Sequence, residues 1–153
     1  MNVKNPLSYY TGIAIFGFIL LLVLFNPPLL TISWDTMGYQ VYWSQLLTQH
    51  DIHIYNLDFY QHIEDTYQNT ITLYQFVGTP NGNFITKYPC GWAILNGPFI
   101  ILGHFYALIF DYPIDGFSKP YQIAALISSL FYTGLGIFWF RKVLLHFFSD
   151  KWT

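Results

Sequence analysis

Asp35 and Lys87 are the residues best placed to do chemistry in this 153-residue chain. Asp35 follows Trp34, ten residues past an apolar run that ends at Phe25, and opens a stretch with helical spacing. A carboxylate held beside bilayer and aromatic rings is partly desolvated, which raises its basicity and suits general-base work. The same position also suits a helix cap, with Asp35 or Ser33 accepting amide hydrogen bonds from the first turn. The two roles are not exclusive. Lys87 is the only cation between Lys4 and Lys119, and a second apolar run begins just after it. A lone ammonium at a lipid interface can bind a lipid phosphate as a point charge, or it can snorkel and simply fix the depth of the segment behind it. His50, His53 and His62, with Asp51, Asp58, Glu64 and Asp65, are metal-ligating residue types, yet their spacing matches no specific ligand pattern. His104 lies inside an apolar run and must face protein or water rather than lipid. It either lines a polar cavity or bonds to a neighbouring carbonyl.

The composition says what must hold these groups. Hydrophobic residues make up 54% of the chain, aromatics 22% and charged residues only 9%, where a soluble domain carries about a quarter charged residues. Six Lys and Arg against eight Asp and Glu give a net charge of −2, so there is no basic surface for nucleic acid. The aromatic content excludes disorder, and a lone Cys90 excludes an internal disulfide framework. An all-α integral membrane protein remains. Three runs lack Asp, Glu, Lys and Arg for about the 20 residues that a bilayer requires: about 7–25, 92–110 and 121–140. The first stops at Asn26-Pro27-Pro28 and lacks a cleavage site, so it reads as a retained anchor rather than a signal peptide. The second contains Asn96-Gly97-Pro98, which a membrane bundle tolerates as a kink. The third ends at Arg141-Lys142, and its Ser128, Ser129, Gly134 and Gly136 permit close helix contact. With three spans, the positive-inside count disfavours a cytoplasmic N-terminus, four cations against two.

Between the first two runs lies a long loop, about 31–88. Tyr39, Tyr42, Trp43, Leu46 and Leu47 recur at helical spacing, predicting a surface-lying helix over 36–48 with Gln40, Ser44, Gln45 and Gln49 on its other faces. Tyr60, Ile63, Tyr67, Ile71 and Tyr74 predict a second juxtamembrane helix. Asn81-Gly82 between Gln75-Phe76-Val77 and Phe84-Ile85-Thr86 predicts a small β-hairpin that returns the chain to the membrane at Lys87.

The order of these features, anchor, "SWDTMGYQVYW", surface helices, "NGNFITKYPCGWAILNGPFIILGHFYALIF", "DYPIDGFSKPYQ" and a third span ending "FRKVLL", resembles the N-terminal part of polytopic bacterial glycosyltransferases with the C-type membrane fold. These are the polyprenyl- or dolichyl-phosphate-mannose mannosyltransferases. The resemblance covers nearly all of this chain and the first third or so of such an enzyme. By position Asp35 matches the family's catalytic carboxylate, with Tyr39 one turn later. Lys87-Tyr88-Pro89 matches the motif at the second span, with Cys90 where a second proline is common. The resemblance implies a multi-pass protein of the bacterial inner membrane, with its N-terminus inside and the long loop extracytoplasmic. It implies sugar transfer from a polyprenyl-phosphate donor to an acceptor hydroxyl. Asp35 would be the general base or hold the acceptor, directly or through a divalent metal ion; Lys87, Tyr88 and Tyr39 would bind substrate. The expectation is a single membrane domain over 1–153 that forms the N-terminal portion of a larger fold, completed by further helices of the same or a partner chain. The alternative is a small non-catalytic membrane module that assembles with a partner membrane protein.

Overall fold

The computed structural model describes residues 7–150. Nineteen uncharged residues form helix α1, Leu7–Phe25, which stops where Pro27 and Pro28 can donate no amide. Helix α2, Asp35–Ser44, continues as a π-helical turn over Gln45–Gln49 and ends at His50, whose φ is 54°. Helix α3 covers Asp58–Tyr67, strands β1 and β2 cover Phe76–Gly78 and Phe84–Thr86, helix α4 covers Gly91–Ile109, and helix α5 covers Lys119–Leu144. The chain is therefore mostly helical with one small sheet. Helices α1, α4 and α5 are long and apolar enough to cross a membrane. Each begins and ends within a few residues of the run expected from the sequence.

Two compact units result: Leu30–Ile127, and the chain on either side of it. In the second unit Phe16 packs on Gly134 and Ile137 on Gly12. Arg141 Nε donates to Ser8 Oγ at 2.7 Å, and Ser8 in turn donates to Asp150.

The first unit has one apolar cluster, in which Met37, Val41, Tyr60, Ile63, Ile100, Phe117 and Tyr121 are buried. The hairpin forms as expected, with Phe76 opposite Thr86 and Gly78 opposite Phe84. Of Asn81-Gly82 only Gly82 takes a positive φ, 81°, because the loop is closed one residue wider by Thr79 N–H donating to Asn83 C=O at 2.7 Å.

The inward face of α2 is a finding of its own, and one helical expectation needs correction. The buried stripe of α2 is Met37, Gln40, Val41, Ser44 and Gln45, two positions before the aromatic stripe at every step, while Leu46 is 48% exposed. Polar side chains face inward here with part of their hydrogen-bonding capacity met, Gln40 Oε1 being buried without a partner among the described residues. Gln40 Nε2 donates to Gly116 C=O at 2.9 Å, and Ser44 Oγ lies 3.0 Å from the Tyr60 hydroxyl, whose pKa burial pushes up to about 12. The second helix is shorter than its periodicity suggests. It ends at Tyr67 because Gln68 adopts a left-handed conformation, φ 53°, and Ile71 is exposed beyond it.

Candidate functional site

The site is built on the first turns of α2. Trp34 precedes that helix with φ 49° and ψ −122°, a conformation that costs a non-glycine residue roughly 1–3 kcal/mol. Its neighbours hold it there: its N–H donates to Asn69 C=O at 2.9 Å, and its C=O accepts from Gln75 Nε2 at 3.0 Å. Asp35 follows as the first helical residue. It does not cap α2, because no side chain accepts the amides at that end. Its Oδ1 instead accepts two phenolic hydroxyls, from Tyr74 at 2.5 Å and from Tyr88. Oδ2 has no hydrogen-bond partner among the described residues, and Asp35 as a whole is exposed.

The hairpin brings the other half. Lys87 N–H donates to Gln75 C=O at 3.0 Å, so Gln75 ties the strand end to the Trp34 turn through both its main chain and its side chain. The Lys87 ammonium lies 4.4 Å from the centre of the Tyr74 ring and 5.5 Å from that of Tyr88, a cation–π seat. No carboxylate pairs with it among the described residues, so its three N–H donors remain available to an anion. The Tyr39 ring lies 4.7 Å from that of Tyr88 and stacks on Trp92 at 5.8 Å. Close approach of Tyr88 to α2 requires Gly38, where a Cβ would fall 2.2 Å from Tyr88 Cδ2.

The electrostatics correct one expectation. Burial was expected to raise the basicity of Asp35, but hydrogen bonds from Tyr74 and then Tyr88, with the Lys87 charge, hold its carboxyl below the ordinary 3.8. Donation to Asp35 raises the Tyr74 hydroxyl, and desolvation followed by the bond to Asp35 raises that of Tyr88. At neutral pH the arrangement is thus one fixed carboxylate held by two protonated phenols, over whose rings Lys87 Nζ sits.

All four residues singled out as site candidates, Asp35, Tyr39, Lys87 and Tyr88, converge here. Tyr74, Gln75 and Trp92 join them without having been anticipated. Gly38 carried a usable signal, since a glycine inside a helix costs ~1 kcal/mol and so marks a close approach. The described residues form no closed protein cage for a divalent ion. The neighbours of Asp35 are phenols and a cation, and no group of three His, Cys, Asp or Glu among the described residues could hold a metal, so the chain offers a divalent ion one carboxylate and leaves its other ligands to substrate phosphate and water. Two of the candidate histidines have local partners: His53 Nδ1 lies 2.6 Å from Asp51, and His104 Nδ1 lies 2.7 Å from the Tyr121 hydroxyl rather than a carbonyl. A separate apolar cavity of about 650 Å³ lies between α4 and the start of α5, lined by Phe99, Leu102, Tyr106, Ile123 and Ile127 with Lys119. It shares no residue with the Asp35 cluster. No family model matches the sequence, and no curated protein and no solved structure matches it either.

Proposed function

We propose that the chain is the donor- and acceptor-binding part of a membrane glycosyltransferase, which moves a sugar from a polyprenyl-phosphate donor to an acceptor hydroxyl at the extracytoplasmic face. One observation carries this reading: an oriented carboxylate with one open oxygen stands beside an ammonium whose donors are unclaimed. The family resemblance supports it by placing the same residues in those roles.

In this reading the acceptor hydroxyl bonds to Asp35 Oδ2 and attacks the anomeric carbon as the bond from that carbon to the phosphate oxygen breaks. The polyprenyl phosphate leaves with the bonding electrons, and Lys87 stabilises the charge that develops on it. The acceptor proton passes to Asp35 and then to water. Because its pKa is depressed, Asp35 is a weak base that orients the hydroxyl first and takes the proton late, when the attacking oxygen has become acidic. Tyr39 and Trp92 offer a stacked aromatic surface to the sugar, and the apolar cavity beside α4 suits a section of isoprenoid chain.

The test is sugar release from a polyprenyl-phosphate donor in membranes of source cells carrying Asp35→Asn at the chromosomal locus. Asn keeps an acceptor oxygen but neither the charge nor the basicity, so turnover should fall by about 10²–10⁴-fold with insertion unchanged. Activity within a few-fold of wild type would overturn the reading and favour a non-catalytic module.

A further inference from the structure

We infer that α4 does not cross the bilayer; it lies on the membrane surface with its outer face against lipid, and α1 and α5 are the two segments that cross. The inference rests on the membrane reading above. It starts from a helix turned inside out. The buried face of α4 is Ala93, Asn96, Gly97, Ile100, Gly103 and Ala107, mostly small residues. The exposed face carries large apolar ones, among them Ile94, Leu102, Phe105 and Ile109 at 55% to 72% exposure. Small residues permit close backbone contact inside, and large apolar residues outside suit lipid.

What the inner face touches sets the orientation. Near the start of α4, Trp43 of α2 packs on Gly97 and donates its indole N–H to Ala93 C=O at 2.7 Å. Past the end of α4 the chain returns to the same loop elements: Gln40 of α2 donates to Gly116 C=O at 2.9 Å, and Tyr67 of α3 donates to Asp115 at 2.5 Å. In between, Ile100 and Ala107 belong to one buried cluster with Met37, Val41 and Tyr60. A 19-residue helix is about 28 Å long, nearly the thickness of the hydrocarbon core. If it crossed, its two flanks would lie on opposite sides of the membrane, yet both are bonded to the loop segment formed by α2 and α3. That segment would have to enter the hydrocarbon with its exposed Gln61, His62 and Asp65, which the bilayer strongly disfavours.

The other unit has the opposite character. Ser8 meets Arg141, Gly12 meets Ile137 and Phe16 meets Gly134. Positions rise along α1 as they fall along α5, so the pair is antiparallel and returns the chain to the side from which it set out. With two crossings, Arg141 and Lys142, together with Lys4 and Lys151 of the flanking sequence, share one side, and Lys87 and Lys119 share the other. The positive-inside rule then places the N-terminus in the cytoplasm and Asp35 outside. The cation count, which opposes that topology when three spans are assumed, supports it with two.

The test uses the full chain with Cys90→Ser and single cysteines at Asn81, Pro113 or His146, treated with a membrane-impermeant maleimide. Asn81→Cys and Pro113→Cys should both label in intact cells, and His146→Cys only after the membrane is opened. Labelling at positions 81 and 113 from opposite sides would overturn the inference. If both label only from the cytoplasmic side, α4 still does not cross, and the extracytoplasmic sugar-transfer reading is what fails. Release of the chain from membranes by alkaline carbonate would overturn the membrane reading and this inference with it. Retention in washed membranes also shows that each variant inserts.

Discussion

Tyr88 donates its hydroxyl to the carboxylate of Asp35, 53 positions earlier in the chain, and α2 holds the same tyrosine at two further points. Its ring lies over Gly38, and its carbonyl accepts the Tyr42 hydroxyl at 2.6 Å. Asp35, Gly38 and Tyr42 are spaced by three and four residues, so one face of α2 grips one residue through its hydroxyl, ring and carbonyl. The helix is therefore the device that brings the two sequence-distant halves of the site into register. Gln75 secures the opposite edge, its side chain on Trp34 and its carbonyl on Lys87.

The two phenols make a pH prediction with a definite sign. Asp35 has its folded-state pKa depressed below 3.8, chiefly by Tyr74 and then Tyr88. Its stabilising interactions are thus fully present above the ordinary carboxylate range and are lost as pH falls through the lowered value. Removing both donors in Tyr74→Phe/Tyr88→Phe leaves desolvation, which acts upward, less opposed. The acid limb of the pH–rate profile for sugar transfer should move to higher pH than in the wild type. An unmoved limb would mean that the hydroxyls do not set the charge of Asp35.

Gly38→Ala should be costly although alanine favours helix by ~1 kcal/mol. The new Cβ would lie 2.2 Å from Tyr88 Cδ2, and forcing extra volume into such a contact costs about 1–3 kcal/mol. Thermal unfolding in detergent should show net destabilisation, and turnover should fall as Tyr88 leaves Asp35. In a Tyr88→Ala background the same substitution should lose its thermal penalty. An equal penalty with and without the ring would place the strain elsewhere.

How much of this was legible in the sequence depends on which force decides each element. Charge-free length fixes α1, α4 and α5 as apolar helices, since no tertiary contact is needed to make nineteen such residues helical. Turn chemistry likewise fixes the hairpin. The inward face of α2 was not legible, because an aromatic stripe can meet lipid or the bundle equally well, while hydrogen-bond partners supplied from elsewhere admit Gln40, Ser44 and Gln45 to the interior. Tyr74 was missed for a related reason. It fits the helical period begun at Tyr60, but Gln68 breaks that helix, and the residue beyond it becomes a hydrogen-bond donor rather than core. The effect of burial on Asp35 was misjudged because basicity depends on donors to the carboxylate as well as on solvent, and those donors come from residues far along the chain.

Lys87 gives the last prediction, and it separates an anchor from a participant. Its ammonium is held over the Tyr74 and Tyr88 rings without a carboxylate partner among the described residues. Lys87→Gln keeps length and polarity but removes the charge. If Lys87 meets the leaving phosphate as charge develops, kcat should fall by about 10²–10³-fold, the range found when one preorganised donor is lost. A rise in KM with kcat unchanged would instead assign it to holding the donor equally in ground and transition states. Lys87→Arg should retain part of the rate, since a guanidinium also stacks on aromatic faces and binds phosphate, though with a fork geometry that this seat was not shaped for. If Lys87→Gln keeps both constants while the labelling depth of Cys90 changes, Lys87 only anchors α4 at the membrane surface.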